Sequence, residues 1–283
     1  MRALAVRALA LVEARRLLAH PTVALGTAAG VAFFIGQAPT AEADFLSYKY
    51  AVGVFLWPVV IGVLVAANLA ASRSRRAGAD ELFASTPLQP HDRAAALLAS
   101  LIPVVLVAAA AQAAMWIALQ PWNGLSPPHL AGGDAAVQSF SPPIAAGLQG
   151  PVLVAVGGVL GIALARWIPS AAAVVPVAAG LFLSSVAVMW WNWGWQRFLL
   201  PFAHDLRVVE PGDLGDRRHG IGVEGSTPAA LTWHVGYLVG LLALLSGMAL
   251  LRDAPRWRGI GLACTGAVAV TVGGVMQTLE WQT

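Results

Sequence analysis

The sequence predicts an all-α integral membrane protein, built as a helical bundle of six to seven transmembrane helices. Of its 283 residues, 58% are apolar and only 11% are charged, and the mean hydropathy is +0.71. An ordinary globular domain has roughly 25% charged residues. The few charges also fall in short segments between long charge-free windows. A soluble protein of this size could not cover its surface with so few charges, and a lone cysteine, Cys264, excludes an internal disulfide framework.

The charge-free windows locate the membrane spans. Each window can supply the ~20 apolar residues that a helix needs to cross ~30 Å of hydrocarbon. Within one transmembrane domain covering residues 1–283, the predicted spans lie near 17–38, 50–71, 94–119, 149–166, 169–191, 231–251 and 259–279. The first span is interrupted by His20-Pro21 and the last is rich in glycine, so six spans is the alternative count.

The distribution of basic residues orients the bundle. With the N-terminus in the cytoplasm, the inner segments hold twelve Lys or Arg and five acids, a net charge of +7, and the outer segments hold five bases and nine acids, a net charge of −4. This matches the positive-inside rule and predicts a multi-pass protein of the cytoplasmic (plasma) membrane with a cytoplasmic N-terminus. Seven spans place Thr283 outside the cell.

Two segments outside the spans are predicted to have their own structure. Residues 1–16 are expected to form an interfacial helix, because Glu13, Arg15 and Arg16 interrupt any signal-peptide core and can reach lipid headgroups. Residues 192–230 are predicted to form an outer loop that contains one or two short helices.

Several chemistries are excluded or disfavoured. The chain has no GxxxxGK[ST] motif, and the GxGxxG match at 220–225 lies in a predicted outer loop rather than a βαβ unit. No histidine pair or second cysteine suggests a metal site, and the dispersed basic residues argue against nucleic-acid binding. The span centres carry amides and hydroxyls but no charges, which argues against ion-coupled transport and intramembrane catalysis. We expect no catalytic residue, and His234 is expected to hydrogen-bond to a neighbouring helix.

The sequence of the inner segment 72–93 predicts a short helix rather than a plain connector. Three arginines follow the second span, two acids then favour the start of a short helix, and a Thr-Pro pair ends it. The alternative is a solvated turn held by its charges. The residues that this cytoplasmic helix would offer to a partner are Asp80, Glu81, Leu82, Phe83 and Thr86.

This segment resembles a known family. The run from Arg75 to Pro87, RRAGADELFASTP, is similar to the coupling-helix segment of type-2 ABC transporter permeases, and the stretch from Glu13 to Pro21 resembles that family's interfacial connecting helix. The resemblance covers the first hundred residues by motif and the rest by span order. The sequence departs from the family pattern at Ala79, where Thr is usual, and at Ser74, where Glu is frequent; six spans are also usual in the family.

The resemblance implies a permease subunit of an ABC exporter that is not itself an enzyme. A separate ATPase subunit would carry ATP and Mg and dock on the short inner helix, and two permeases, identical or paralogous, would pair in the bilayer around an export path. An uncharged path suits apolar or amphipathic substrates. The second and fifth spans would line this path. For each residue proposed to face the path, packing in the core is an equal alternative. These residues are Phe55, Trp57, Asn68, Phe182, Ser185 and Met189.

A non-transporting structural or assembly subunit of a membrane complex is the alternative function. Co-purification of a stoichiometric ATPase would distinguish the two.

Overall fold

The computed structural model describes residues 2–37, 45–78, 89–119, 144–168, 170–190, 228–252 and 256–282. Within these ranges the chain is helical and contains no strand, which confirms the all-α prediction for them. One 3-10 turn, Ala171–Ala173, precedes α7. The helices are α1 (Arg2–Leu18), α2 (Pro21–Gln37), α3 (Phe45–Ala71), α4 (Arg73–Arg76), α5 (Pro90–Leu119), α6 (Ile144–Trp167), α7 (Val174–Trp190), α8 (Pro228–Leu251) and α9 (Arg256–Gln282).

The helix lengths are those of a multi-pass membrane protein. Among the described residues, four stretches are long and apolar enough to cross a bilayer: Pro90–Met115, Gly147–Trp167, Ala229–Leu251 and Trp257–Glu280. The bent pair α1–α2 would be a fifth if it forms one span, and the described apolar parts of α3 and α7 are shorter. The finer count of six to seven spans stays a prediction.

The break between α1 and α2 has a local cause. Proline at the first position of α2 removes one backbone N–H and has a preset φ, which favours starting a new helix there. His20 precedes it, and its Nδ1 accepts the N–H of Thr22 at 3.3 Å, as a helix-capping side chain does. The two helices meet at 49°. The predicted interfacial helix is therefore helical through Leu18, and its placement at the membrane surface stays a prediction.

Close contacts fix the relative directions of the helices. Successive contacts between α3 and α6 move toward the C-terminus in both helices, so the two helices are parallel. Successive contacts between α8 and α9 move toward the C-terminus in one helix and toward the N-terminus in the other, so this pair is antiparallel. By such pairings α3, α6 and α8 run one way, and α2, α5 and α9 run the other way. Helix ends rich in arginine consequently gather on one side of the bundle. We call this side, which holds Arg16, Arg73, Arg93, Arg166, Arg252 and Arg258, the arginine-rich end.

Helix α6 is the centre of the bundle, packing against α3, α5 and α8. Glycines let the backbones approach: a Cβ added at Gly161 would lie 2.2 Å from the carbonyl oxygen of Leu64, and one at Gly157 would lie 2.6 Å from the Val60 side chain. Small residues at such contacts are typical of membrane helix pairs. Around them lies the main apolar core, which includes Leu56, Val60, Val63, Leu101, Leu153, Val154, Ile162 and Leu238.

The antiparallel pairing of α8 and α9 predicts the side of the C-terminus. Because α9 begins at the arginine-rich end and continues for 27 residues, about 40 Å, its last residues are expected on the opposite side. A Thr283→Cys label, in a Cys264→Ser background, should react with a membrane-impermeant maleimide from the side opposite to a Ser170→Cys label. Reaction of both from the same side would contradict this topology.

Candidate functional site

An ion-pair cluster joins α1 to the start of the inner segment at the arginine-rich end. The Glu13 side chain is only 10% exposed, and its carboxylate lies 2.8 Å from Arg16 Nη1 and 3.4 Å from Arg73 Nη1. Both arginines are about half exposed, at 55% and 45%. Screening by solvent limits the stability gained from such pairs. The contact instead fixes α1 against the first residue of α4, sixty positions along the chain.

Further contacts fix both ends of the segment 72–93. At its start, Arg76 Nη2 donates to the carbonyl oxygen of Leu69 at 2.6 Å. At its end, Asp92 Oδ2 accepts the N–H of Gln89 at 3.1 Å while the Asp92 N–H donates to the Gln89 carbonyl at 2.9 Å. His91 Nε2 lies 3.5 Å from Asp92 Oδ1. The described residues on both sides of 79–88 are thus held by polar contacts.

The predicted partner-contact residues lie between these two positions. Asp80, Glu81, Leu82, Phe83 and Thr86 are outside the described residues, so their role stays a prediction. Of the three residues predicted for the interfacial helix, Glu13 and Arg16 form the cluster above, and the third, Arg15, is exposed on α1.

Three of the six proposed path residues have described side chains. Asn68 is fully buried between α3 and α6, where its Nδ2 donates to the carbonyl oxygen of Gly161 at 3.1 Å. Trp57 is partly buried on α3, eleven positions earlier and therefore roughly 16 Å away along the axis. Phe182 on α7 is 48% exposed. The structure does not bring these three into one cluster, and the side chains of Phe55, Ser185 and Met189 are outside the described residues.

Unsatisfied polar atoms mark the interior of the bundle. Trp57 Nε1, Asn68 Oδ1 and Gln112 Oε1 are buried and have no hydrogen-bond partner among the described residues. Gln112 on α5 is 5% exposed, and its Oε1 would lie 2.3 Å from a Cβ added at Gly150 of α6. Its amide therefore occupies the space that a glycine leaves between α5 and α6. Gln112 is one of the uncharged polar residues of the span centres and is not among the predicted path residues.

A second polar contact lies between α8 and α9 at the other end of the bundle. His234 and Gln277 are both fully or almost fully buried, and His234 Nδ1 lies 2.9 Å from Gln277 Oε1. The Tyr237 ring stacks on the imidazole with centroids 5.8 Å apart. This confirms the expectation that His234 hydrogen-bonds to a neighbouring helix.

In the ranges that the structure describes, no three His, Cys, Asp or Glu side chains are grouped to hold a metal ion. Comparison with known protein families, with curated proteins and with solved structures finds no match. The case for a function rests on the residues and on their geometry.

Proposed function

We propose that this chain is the transmembrane permease subunit of an ATP-driven ABC exporter of the type-2 class. It would move an apolar or amphipathic substrate across the cytoplasmic membrane, and a separate ATPase subunit would supply the energy. The proposal begins from the resemblance of RRAGADELFASTP to the coupling segment of that family.

The observation that carries the proposal is the contact between Glu13 and Arg73. A coupling element must transmit a force, so its ends have to be attached to helices that move with the transport path. The 3.4 Å ion pair attaches the start of the segment to α1, and the capping contacts of Asp92 attach its end to α5. Helix α1 itself packs chiefly against α5. A push on residues 79–88 would therefore reach α1, α3 and α5 together.

The chemistry of the spans supports an apolar or amphipathic substrate. In the described parts of the spans, the central residues include side chains with amide, hydroxyl and imidazole groups. None of these central residues is Asp, Glu, Lys or Arg. Energy from a partner ATPase would shift the permease between inward-open and outward-open populations, so no chemical step is required of this chain.

Changing Leu82 and Phe83 to Ser tests the coupling role. Covering each side chain on a partner would contribute ~1.5–3 kcal/mol, so their loss should reduce ATPase binding by at least about tenfold or uncouple ATP hydrolysis from export. The measurement is co-purification of the ATPase from native membranes, followed by ATPase and export assays. Membrane insertion should be unchanged, since neither residue lies in a predicted span.

The matched control is the double change Phe198→Ser and Leu199→Ser, which makes the same chemical change in the predicted outer loop. It should retain the ATPase. If the Leu82/Phe83 variant also bound the ATPase and exported normally, this segment would not be the coupling element. Reproducible absence of any ATPase from the purified wild-type protein would favour the non-transporting structural subunit instead.

A further inference from the structure

We propose that the arginine-rich end of α8 and α9 binds one anionic phospholipid, with its phosphate on Arg252 and Arg258 and an acyl chain along α9. This inference does not depend on the proposed transport function. It starts from two exposed arginines near the junction of α8 and α9. Residues 252–258 contain three arginines and one acid, Asp253, so the local charge favours an anion.

The junction brings the two arginines to one place. A Cβ added at Gly259 would lie 3.0 Å from the backbone nitrogen of Leu251, so the first turn of α9 contacts the last turn of α8. Arg252 and Arg258 are the sequence neighbours of these two residues. The backbones of Arg252 and Arg258 therefore lie beside the same helix contact.

Neighbouring contacts hold this surface in place. Arg252 Nη1 donates to the carbonyl oxygen of Arg166, and Trp167 Nε1 donates to that of Met248 at 2.9 Å. A guanidinium has five N–H donors in a planar fork, so one contact to a carbonyl leaves Arg252 able to bind a phosphate oxygen. The Arg258 guanidinium lies 4.9 Å from the Trp257 ring centroid, a cation–π distance.

The exposed apolar residues around the arginines favour lipid over a protein partner. Trp167 and Trp257 are 51% and 68% exposed, and Ile260 is 50% exposed. Exposed indoles beside arginines are typical of the headgroup region of a bilayer, where the ring lies among lipid and the charge meets phosphate.

A shallow groove lies farther along α9. It is lined by Cys264, Thr265, Val268, Ala269 and Val272. At 3.6 residues per turn, Thr265, Ala269 and Val272 fall within about 40° of the direction of Arg258, whereas Val268 and Cys264 lie about 80° and 120° to one side. The groove therefore overlaps the face of this arginine and extends to one side of it. Val272 is fourteen positions beyond Arg258, about 21 Å, which exceeds half of the ~30 Å hydrocarbon layer. The groove therefore matches the tail of a lipid in one leaflet, with its headgroup at the arginines.

Native mass spectrometry of the full chain in detergent tests the site. The probes are phosphatidylglycerol and phosphatidylcholine with identical chains, and inorganic phosphate as a competitor. At low salt we expect phosphatidylglycerol to bind at least about tenfold more tightly than phosphatidylcholine, because each arginine near an anionic headgroup contributes to binding. The Arg252→Gln/Arg258→Gln variant should lose this preference, and millimolar phosphate should not displace the lipid, since it has no tail.

The charge-matched control is Arg217→Gln/Arg218→Gln in the predicted outer loop, which should keep the preference. Equal loss in both double variants would overturn the proposal, because net charge alone would then explain it. An unchanged preference in the Arg252/Arg258 variant would overturn it too, as would displacement by phosphate. Should that variant fail to fold, Arg258→Gln alone leaves the Arg252–Arg166 contact intact and should still weaken phosphatidylglycerol binding several-fold; an unaltered affinity there would count against the site.

Discussion

Replacing Gly266 with Ile is expected to cost about 3 kcal/mol or more of stability, because the α8–α9 interface has no space for a side chain there. A Cβ at this position would lie 2.2 Å from the backbone nitrogen of Leu244 and 2.7 Å from the carbonyl oxygen of Gly240. Both are backbone atoms, which cannot move aside as a flexible side chain would. Overpacking a well-packed core typically costs 1–3 kcal/mol, and a backbone clash lies at or above the top of that range. Thermal unfolding and monodispersity in detergent measure the effect.

Gly261 supplies the matched control on the same helix. A Cβ there meets nothing within 4 Å, and the position is exposed. Gly261→Ile should therefore unfold close to the wild-type temperature. If the two variants were equally stable, the close approach of α8 and α9 would be refuted.

The buried pair His234–Gln277 is expected to give the second large effect. Changing either residue alone to Leu removes the 2.9 Å contact and leaves a buried polar group with one partner fewer. A buried group deprived of its partner costs about 1–3 kcal/mol, although polar contacts between membrane helices are often weaker. Each single variant should accordingly show a lower unfolding temperature than the wild type.

A double-mutant cycle separates the pair from its surroundings. The variant with both residues changed to Leu should be less destabilised than the sum of the two single changes, with a coupling of about 0.5 kcal/mol or more. Strict additivity would show that the contact contributes nothing of its own. The readout is the unfolding free energy of the four proteins in one detergent.

Hydropathy and charge located the helices because the bilayer imposes a length and excludes charge. The predicted spans 94–119, 149–166, 231–251 and 259–279 all lie within described helices. Glycine contacts were harder to predict. GxxxG spacing suggests Gly157–Gly161 and Gly236–Gly240 as pairs, and both members of the first pair do contact α3. In the second pair, a Cβ at Gly236 meets nothing within 4 Å; the glycines of α8 that contact α9 are Gly240 and Gly247, seven positions apart. In a chain with 29 glycines, spacing alone does not show which helix lies opposite.

The candidate site was predictable only where it is local in sequence. Glu13 and Arg16 are three positions apart, so one face of a helix brings them together, and their pairing could be inferred. Arg73 is sixty positions away, and no pattern in the sequence pairs it with Glu13 rather than with another acid. Likewise, Asn68 could be placed on α3 from its span, but its contact with Gly161 depends on which helix packs against α3.

The arrangement of α6, α8 and α9 has a consequence for how the protein is made. Helix α9 packs chiefly against α8, and α8 reaches the rest of the bundle chiefly through α6. Most contacts of the last two helices are thus with their immediate neighbour in the chain, and such contacts form early because little chain entropy is lost in closing them. The two helices can enter the bilayer as a preassembled hairpin and dock onto α6 afterwards, as a late step in biogenesis. Arg252 and Trp167, whose contacts bridge α6 and α8, then secure the docked hairpin.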